Sequence, residues 1–336
     1  MVIWVGFIVL VVTLLLLDLF VLHRKTEVQT IQSALRWTLF WVSLALAFNV
    51  FVYFLYEYNL LDFVGDKWVA GIGTNRAMEF FAGYLIEESL SVDNIFVIAL
   101  IFSYFSIPIQ NQRRVLFWGI FGAIVLRFIM IWLGLKLLEE FEWVEVVFGV
   151  ILLFSAAKMM FMHDGEVEPE KSFAVRLVRR FYPVAPHLDG HRFFTVFNGK
   201  KAATRLLLAL VVVETTDVVF AVDSIPAVFS VVASRDPFIV FTSNVFAILG
   251  LRSLYFAIAG MLVRFRYLQK ALVVLLAFIG VKMLLNYFVF HISIGWSLAI
   301  IISILTIGIV ASIASDRGRV NREMPNVPPP EPGDHS

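Results

Sequence analysis

Long apolar runs separated by short charged segments dominate the chain, and their lengths set the first expectation. A helix rises about 1.5 Å per residue, so about 20 apolar residues cross a bilayer core. Nine runs qualify: 2–22, 37–56, 77–105, 115–138, 143–162, 206–232, 237–262, 268–289 and 293–313. The pattern predicts an all-α, polytopic membrane protein. Met1 to Leu22 has no basic residue before it, and His23, Arg24 and Lys25 after it. That is the reverse of a cleaved leader, so the run reads as a permanent first span.

Two of the runs are interrupted by acids. The sixth, VVVETTDVVFAVDSIPAVF (211–229), holds Glu214, Asp217 and Asp223. A mid-membrane Asp costs roughly 2.5 to 3.5 kcal/mol, whereas a Val, Leu or Phe returns about 0.3 to 0.6, so three acids cost on the order of 8 to 10 kcal/mol. Such residues are expected to be used. Glu214, Asp217, Ala221 and Ser224 share one helical face, and Asp223 points elsewhere. Pro226 removes a backbone donor, so the helix is expected to kink or unwind near 222–224 and swing Asp223 toward the others. The third run holds Glu79, Glu87, Glu88 and Asp93, the last three within GYLIEESLSVDNIFV (83–97). Glu87 shares a face with Ser91 and Asn94, and Glu88 diverges from it by about 100°. Glu79 lies near the outer end and is expected to face the interface. Arg127 and Arg252 sit mid-span, too deep to snorkel, and are expected to pair with the acids as counter-ions. Lys158 is expected to snorkel at the inner end of span 5. Asp18 and Asn49, inside spans 1 and 2, receive no role.

The two acidic runs head an internal repeat. Asp93-Asn94-Ile95-Phe96 aligns with Asp217-Val218-Val219-Phe220, the stretch ending in Arg127 with that ending in Arg252, and Lys158-Met159 with Lys282-Met283. The Asp to Arg to Lys intervals are 34 and 31 residues in one copy, 35 and 30 in the other. Each copy covers three spans, an odd number, so the second enters the membrane from the opposite side. Inverted repeats of this kind place a transporter's site near the midplane at their interface.

The order expected along the chain is two peripheral N-terminal spans (1–76), a first three-helix repeat (77–162), a basic loop (163–205), a second repeat (206–292), a last span (293–313) and a disordered Pro-rich tail (314–336). Lys and Arg concentrate in the odd-numbered loops, above all the fifth, with Lys171, Arg176, Arg179, Arg180, Arg192, Lys200 and Lys201. By the positive-inside rule these loops and the tail are cytoplasmic, and the N-terminus is outside. Within the fifth loop, Phe173, Ala174, Leu177, Val178 and Phe181 recur at helical spacing between Arg176, Arg179 and Arg180. They predict a short amphipathic helix, either on the inner leaflet or folded against the protein's own cytoplasmic face.

Composition narrows the chemistry. The chain has 0 Cys among 336 residues, which excludes disulfides, thiolate metal sites and thiol redox chemistry. The candidate ligands Glu87, Asp93, Asn94, Glu214, Asp217, Asp223 and Ser224, with Asn244 as a further donor, all offer oxygen. Oxygen sets suit hard divalent ions such as Mn²⁺, Mg²⁺ or Ca²⁺. Crowded carboxylates repel one another and hold protons until a cation replaces them, a route to cation/proton exchange. No HExxH pair and no nucleophile beside a His supports an enzyme. The expected partners are the bilayer, a divalent ion and protons, with no nucleic acid and no permanently bound cofactor. A passive channel, or a scaffold docking partners through the basic fifth loop, would use the same spans without a coupled carboxylate site.

Several segments together resemble the TerC family of integral membrane proteins, including its pH-responsive Alx branch. They are GYLIEESLSVDNIFV (83–97), RRVLFWGIFGAIVLR (113–127), FNGKKAAT (197–204), ETTDVVFAVDSIPAVF (214–229) and DPFIVFTSNVFAILGLRSLYF (236–256). Arg205 departs from the Pro usual there. The resemblance implies an inner-membrane Mn²⁺ exporter, with ties to tellurium resistance, metal homeostasis and alkaline pH response. It also implies that Glu87, Asp93, Asn94, Glu214, Asp217, Asp223 and Ser224 hold the transported ion.

Overall fold

In a computed structural model, residues 1–20, 31–65, 68–161, 172–185, 188–258, 266–289 and 292–323 are described. Among these residues ten α-helices run in the order α1 (Val2–Phe20), α2 (Ile31–Glu57), α3 (Ile72–Tyr104), α4 (Ile109–Glu140), α5 (Val144–Phe161), α6 (Phe173–Phe181), α7 (Arg205–Val231), α8 (Pro237–Ile258), α9 (Arg266–Phe288) and α10 (Ile294–Glu323). Among the described residues, six of them are long and apolar enough to cross a membrane: α2, α4, α5, α8, α9 and α10. α3 and α7 are of similar length and carry the buried acids. The protein is therefore a polytopic, mostly helical membrane protein.

α8 is the axis of the bundle. Nearly all of its residues are buried, and it packs against α2, α3 and α4. Its polar side chains are satisfied along the helix, with Thr242 Oγ1 donating to the Phe238 carbonyl at 2.6 Å and Ser253 Oγ to the Gly250 carbonyl at 3.0 Å. At one end, rings from four helices interlock, Phe48 lying 4.6 Å from Phe246, and Phe7 5.9 Å from Phe238. Around this axis α4 packs on α7, α3 on α7, α5 on α9, and α10 on α9.

The structure corrects several expectations. α7 does not unwind at Pro226: it runs unbroken from Arg205 to Val231. Residues 224–232 are all buried, so packing on every side holds the helix at the cost of one backbone hydrogen bond, about 1 kcal/mol. Where α7 ends, Lys282 Nζ donates to the Ser230 carbonyl at 2.7 Å, satisfying one of the carbonyls a helix terminus leaves open. The fold is not purely helical either. The fifth loop contains an antiparallel hairpin, β1 (Phe194–Phe197) and β2 (Lys200–Ala203), with Phe197 opposite Lys200. Its two-residue turn is Asn198-Gly199, both at positive φ (50° and 74°), the left-handed pair that such hairpins demand. Finally, α10 continues to Glu323, so helix replaces the first ten residues of the expected tail; 324–336 lie outside the described residues, as do 21–22 of the first predicted span.

α5 and α9 cross closely because glycines face each other. A Cβ at Gly280 would lie 2.9 Å from Leu153 Cγ and 3.0 Å from the Gly149 carbonyl oxygen. Gly280→Val should therefore cost about 1–3 kcal/mol by overpacking. Gly295→Val, at a position with nothing within 4 Å, should be near neutral, and thermal unfolding in detergent compares the two.

Candidate functional site

Arg127, on α4, is the residue on which four helices converge, and its side chain is 2% exposed. Its Nη1 forms an ion pair with Glu87 of α3, and also donates to Asn244 Oδ1 of α8 at 3.1 Å and Ser224 Oγ of α7 at 3.3 Å. Its other edge meets Asp217 of α7, with Nη2 3.1 Å from Oδ1 and Nε 3.4 Å from Oδ2. Asn244 Nδ2 closes the ring by donating to Glu87 Oε2 at 3.0 Å. Asp217 and Ser224 reach the same guanidinium because seven residues are two helical turns. Two carboxylates share one guanidinium, which leaves the cluster one formal negative charge.

Beside this cluster a narrow cleft of about 20 Å³, room for about one water, opens between α3, α4, α7 and α8. Asn94, Thr216 and Asp217 supply its polar wall, and Ile98, Leu116 and Ile120 much of its apolar one. These residues run from mid-bundle toward the starts of α4 and α7, the end that carries α6 and the hairpin. Glu214 lies one turn nearer that end than Asp217. Its carboxylate is pressed against Gly122 of α4, where any Cβ would collide with it. Its Oε2 is buried with no hydrogen-bond partner.

The predicted set is thus divided. Glu87, Asp217, Ser224 and Arg127 meet directly, and Asn94 borders the cleft at Asp217. Asp93 is half-buried one residue earlier on α3, and Arg252 is buried on α8. Asp223 is not swung toward the others: with α7 unbroken it faces α5, where Ser155 Oγ donates to its Oδ1 at 2.6 Å. Glu88 faces the other way from the cluster, against Gly250 of α8 and beside Trp41 of α2. Among the described residues no group of three or more His, Cys, Asp or Glu is close enough to hold a metal unaided. Arg127 stands between the acids. An ion here would draw on carboxylate, amide and hydroxyl oxygens together.

The opposite end of the bundle is closed by polar contacts. Glu79, expected at the interface, is 4% exposed and instead clamps α3 to the α7–α8 turn, accepting from Ser234 N at 3.0 Å and Ser234 Oγ at 2.6 Å, and from Arg76 at 2.8 Å. Arg235 reaches Glu145 of α5 at 2.7 Å and the Leu138 carbonyl of α4 at 3.2 Å. Tyr56 of α2 donates to Asp236 at 2.7 Å. Sequence reasoning did not single out Thr216, Gly122 or Ser155. Gly122 had a signal, a residue without a side chain in the helix that also carries Arg127.

A many-helix bundle with a charged cluster buried across its crossing helices, and a cleft leading to it from one end, defines a membrane protein with an intramembrane polar site. The sequence profile described as Integral membrane protein TerC family matches residues 72–320. Similar chains include membrane protein STKORF319 of Myxococcus xanthus, 46% identical over 314 residues (94% of this chain, 92% of that one). Alx of Escherichia coli (strain K12), whose name proposes a membrane-bound redox modulator, is 45% identical over 303 residues (90% and 91%). The chloroplastic thylakoid membrane protein TERC of Arabidopsis thaliana is 49% identical over 243 residues (72% and 63%). No solved structure matches. The chain belongs to the TerC family.

Removing the shared cation should be costly. Arg127→Met strands the buried Glu87 carboxylate and the partly buried Asp217, and losing one side of a buried ion pair costs about 3–5 kcal/mol. Adding Glu87→Gln to Arg127→Met should recover some of that loss, because a neutral amide can still bond Asn244. Denaturant unfolding of the single and double variants in detergent measures the coupling.

Proposed function

We propose that this protein exports a hard divalent cation, Mn²⁺, across a cell (inner) membrane in exchange for protons, by alternating access. The observation that carries this reading is the cleft that ends on Asp217, beside a buried cluster with more carboxylate than cation. Buried ion pairs are weak contributors to stability and ionisable groups inside a membrane are expensive, so a surplus acid at mid-bundle is expected to serve a ligand.

Nine spans complete the fold in this reading, with α3–α5 and α7–α9 as inverted repeats. Much of the packing supports that symmetry: exchanging α3 with α7, α4 with α8 and α5 with α9 maps the α3–α8 contact onto α4–α7 and α5–α7 onto α3–α9, and leaves α3–α7, α4–α8 and α5–α9 in place, while α7–α9 and α4–α5 have no counterpart of like extent. By the positive-inside rule the cleft opens to the cytoplasm, the N-terminus is outside and the C-terminus cytoplasmic. The contacts of Glu79, Arg235 and Tyr56 then close the outer end.

The ion enters through the cleft and meets Asp217, the Asn94 amide oxygen, the Thr216 hydroxyl and Glu214. Arg127 is a tethered cation that already satisfies Asp217; when the ion arrives it stays with Glu87 and Asn244. Glu214, with its unpartnered buried oxygen, carries the exchanged proton and releases it to water on the cleft side as the ion binds. Rocking of one repeat against the other opens the outer end, where a proton returns to Glu214 as the ion leaves. The redox role in the name of Alx cannot run through thiols here, because the chain has no cysteine.

Flux of Mn²⁺ in proteoliposomes under an imposed pH gradient tests the reading. The native chain should move Mn²⁺ with counter-flowing protons, Asp217→Asn should abolish the flux, and Glu214→Gln should remove its dependence on the pH gradient. Absence of Mn²⁺, Mg²⁺ or Ca²⁺ movement by folded native protein would overturn it in favour of the scaffold.

A further inference from the structure

The nine residues of α6, FAVRLVRRF, contain no acid and present three different faces. At about 100° per residue, Val175 and Val178 fall on one side, Phe173, Leu177 and Phe181 on a second, and Arg176, Arg179 and Arg180 on a third. The structure treats the three sectors differently. Val175 is fully buried and packs in one apolar cluster with Leu206, Leu208 and Ala209 of α7, with Val178 against it. Phe173, Leu177 and Phe181 are left 72%, 45% and 69% exposed. The three arginines are exposed. Of the two alternatives left open by the sequence, folding onto the protein is seen along one sector, and a second apolar sector is left uncovered.

Position narrows what could cover that sector. α6 is seated beside the first two turns of α7, at the end of that long helix. The hairpin next to it repeats the composition, with Val196 73% exposed at its surface and exposed Lys200 and Lys201. Lys201 Nζ sits 4.4 Å from the Phe194 ring centre. Arg205 begins α7 and is exposed as well. Among the described residues of this region the acid is Asp189, taken up by Thr195 at 2.9 Å and Arg192 at 3.7 Å; Asp164, Glu166, Glu168 and Glu170, which precede α6 in the sequence, lie outside them. A soluble partner would have to match large aromatic residues and a dense set of cations on one narrow helix. A lipid leaflet matches both, with acyl chains under the aromatics and phosphates beside the cations.

We propose that α6 and the adjoining hairpin form an interfacial foot that docks on an anionic phospholipid leaflet, with Phe173, Leu177 and Phe181 inserted among the acyl chains and Arg176, Arg179, Arg180, Lys200 and Lys201 on the headgroups. The foot stands on α7, the helix that carries Asp217 and Glu214. It is independent of whether the protein transports an ion.

The native chain has no cysteine, so single nitroxide labels can be placed without background. Leu177→Cys, Phe181→Cys and Arg179→Cys are labelled in the full chain and reconstituted in phosphatidylcholine vesicles with and without phosphatidylglycerol. Labels at 177 and 181 should collide with oxygen in preference to an aqueous nickel chelate, by a ratio several-fold above that at 179. Phosphatidylglycerol should raise the ratio at 177, and replacing Arg176, Arg179 and Arg180 by Gln should return it to the phosphatidylcholine value. Equal access of the nickel chelate to 177, 181 and 179 would overturn the foot, since the face would then be wet. Exclusion of both reagents from 177 and 181 would also overturn it, in favour of a protein cover, and indifference to phosphatidylglycerol would remove the anionic leaflet as the partner.

Discussion

The arrangement depends on one guanidinium. Arg127 presents a planar fork of donors, and four side chains from three other helices accept from its three nitrogens. Lysine could not do this, because a point charge on a flexible stem has no second edge for Asp217 while it holds Glu87. The consequence is positional. α3, α4, α7 and α8 cannot slide past one another without exposing a charge to a medium that cannot solvate it, so the cluster fixes their register where apolar packing alone would tolerate slippage.

That constraint explains why the bundle has its polar side chains where it does. α8 is buried almost throughout and still carries Asn244, which both donates to Glu87 and accepts from Arg127. An amide is suited to this place because it offers both roles without adding charge. Glu214 stands outside the closed ring, and its proximity to the ring is permitted by the missing side chain of Gly122. The site is thus saturated around Arg127 and unsaturated at Glu214, a single helical turn away, and the open volume borders Asp217, Thr216 and Asn94 between them.

Much of this was legible from the chain. The apolar runs give the long helices, and the cost of charge in a membrane singles out Glu87, Arg127 and Asp217, which do meet. Helical phase also separates Glu88 from Glu87 correctly. What the sequence did not reveal were outcomes of packing. Pro226 reads as a break, but the complete burial of residues 224–232 holds the helix through it, so Asp223 turns to Ser155 instead of the cluster. Glu79 reads as an interfacial residue because it is close to a helix end; its partner Ser234 is 155 residues away, a distance no local pattern encodes. The Asn198-Gly199 turn is different. It is a strong hairpin signal that the surrounding basic, helix-like composition obscured.

The turn between α7 and α8 has a further consequence. Ser234, Arg235 and Asp236, three successive residues, hold α3, α4, α5 and α2 between them, through Glu79, the Leu138 carbonyl, Glu145 and Tyr56. Contacts carried by one rigid stretch of backbone cannot be released in sequence, because a shift that frees one drags the others past hydrogen-bonding distance. The end of the bundle gathered on this turn is therefore held as one unit: loosening the turn gives up its contacts to four helices together.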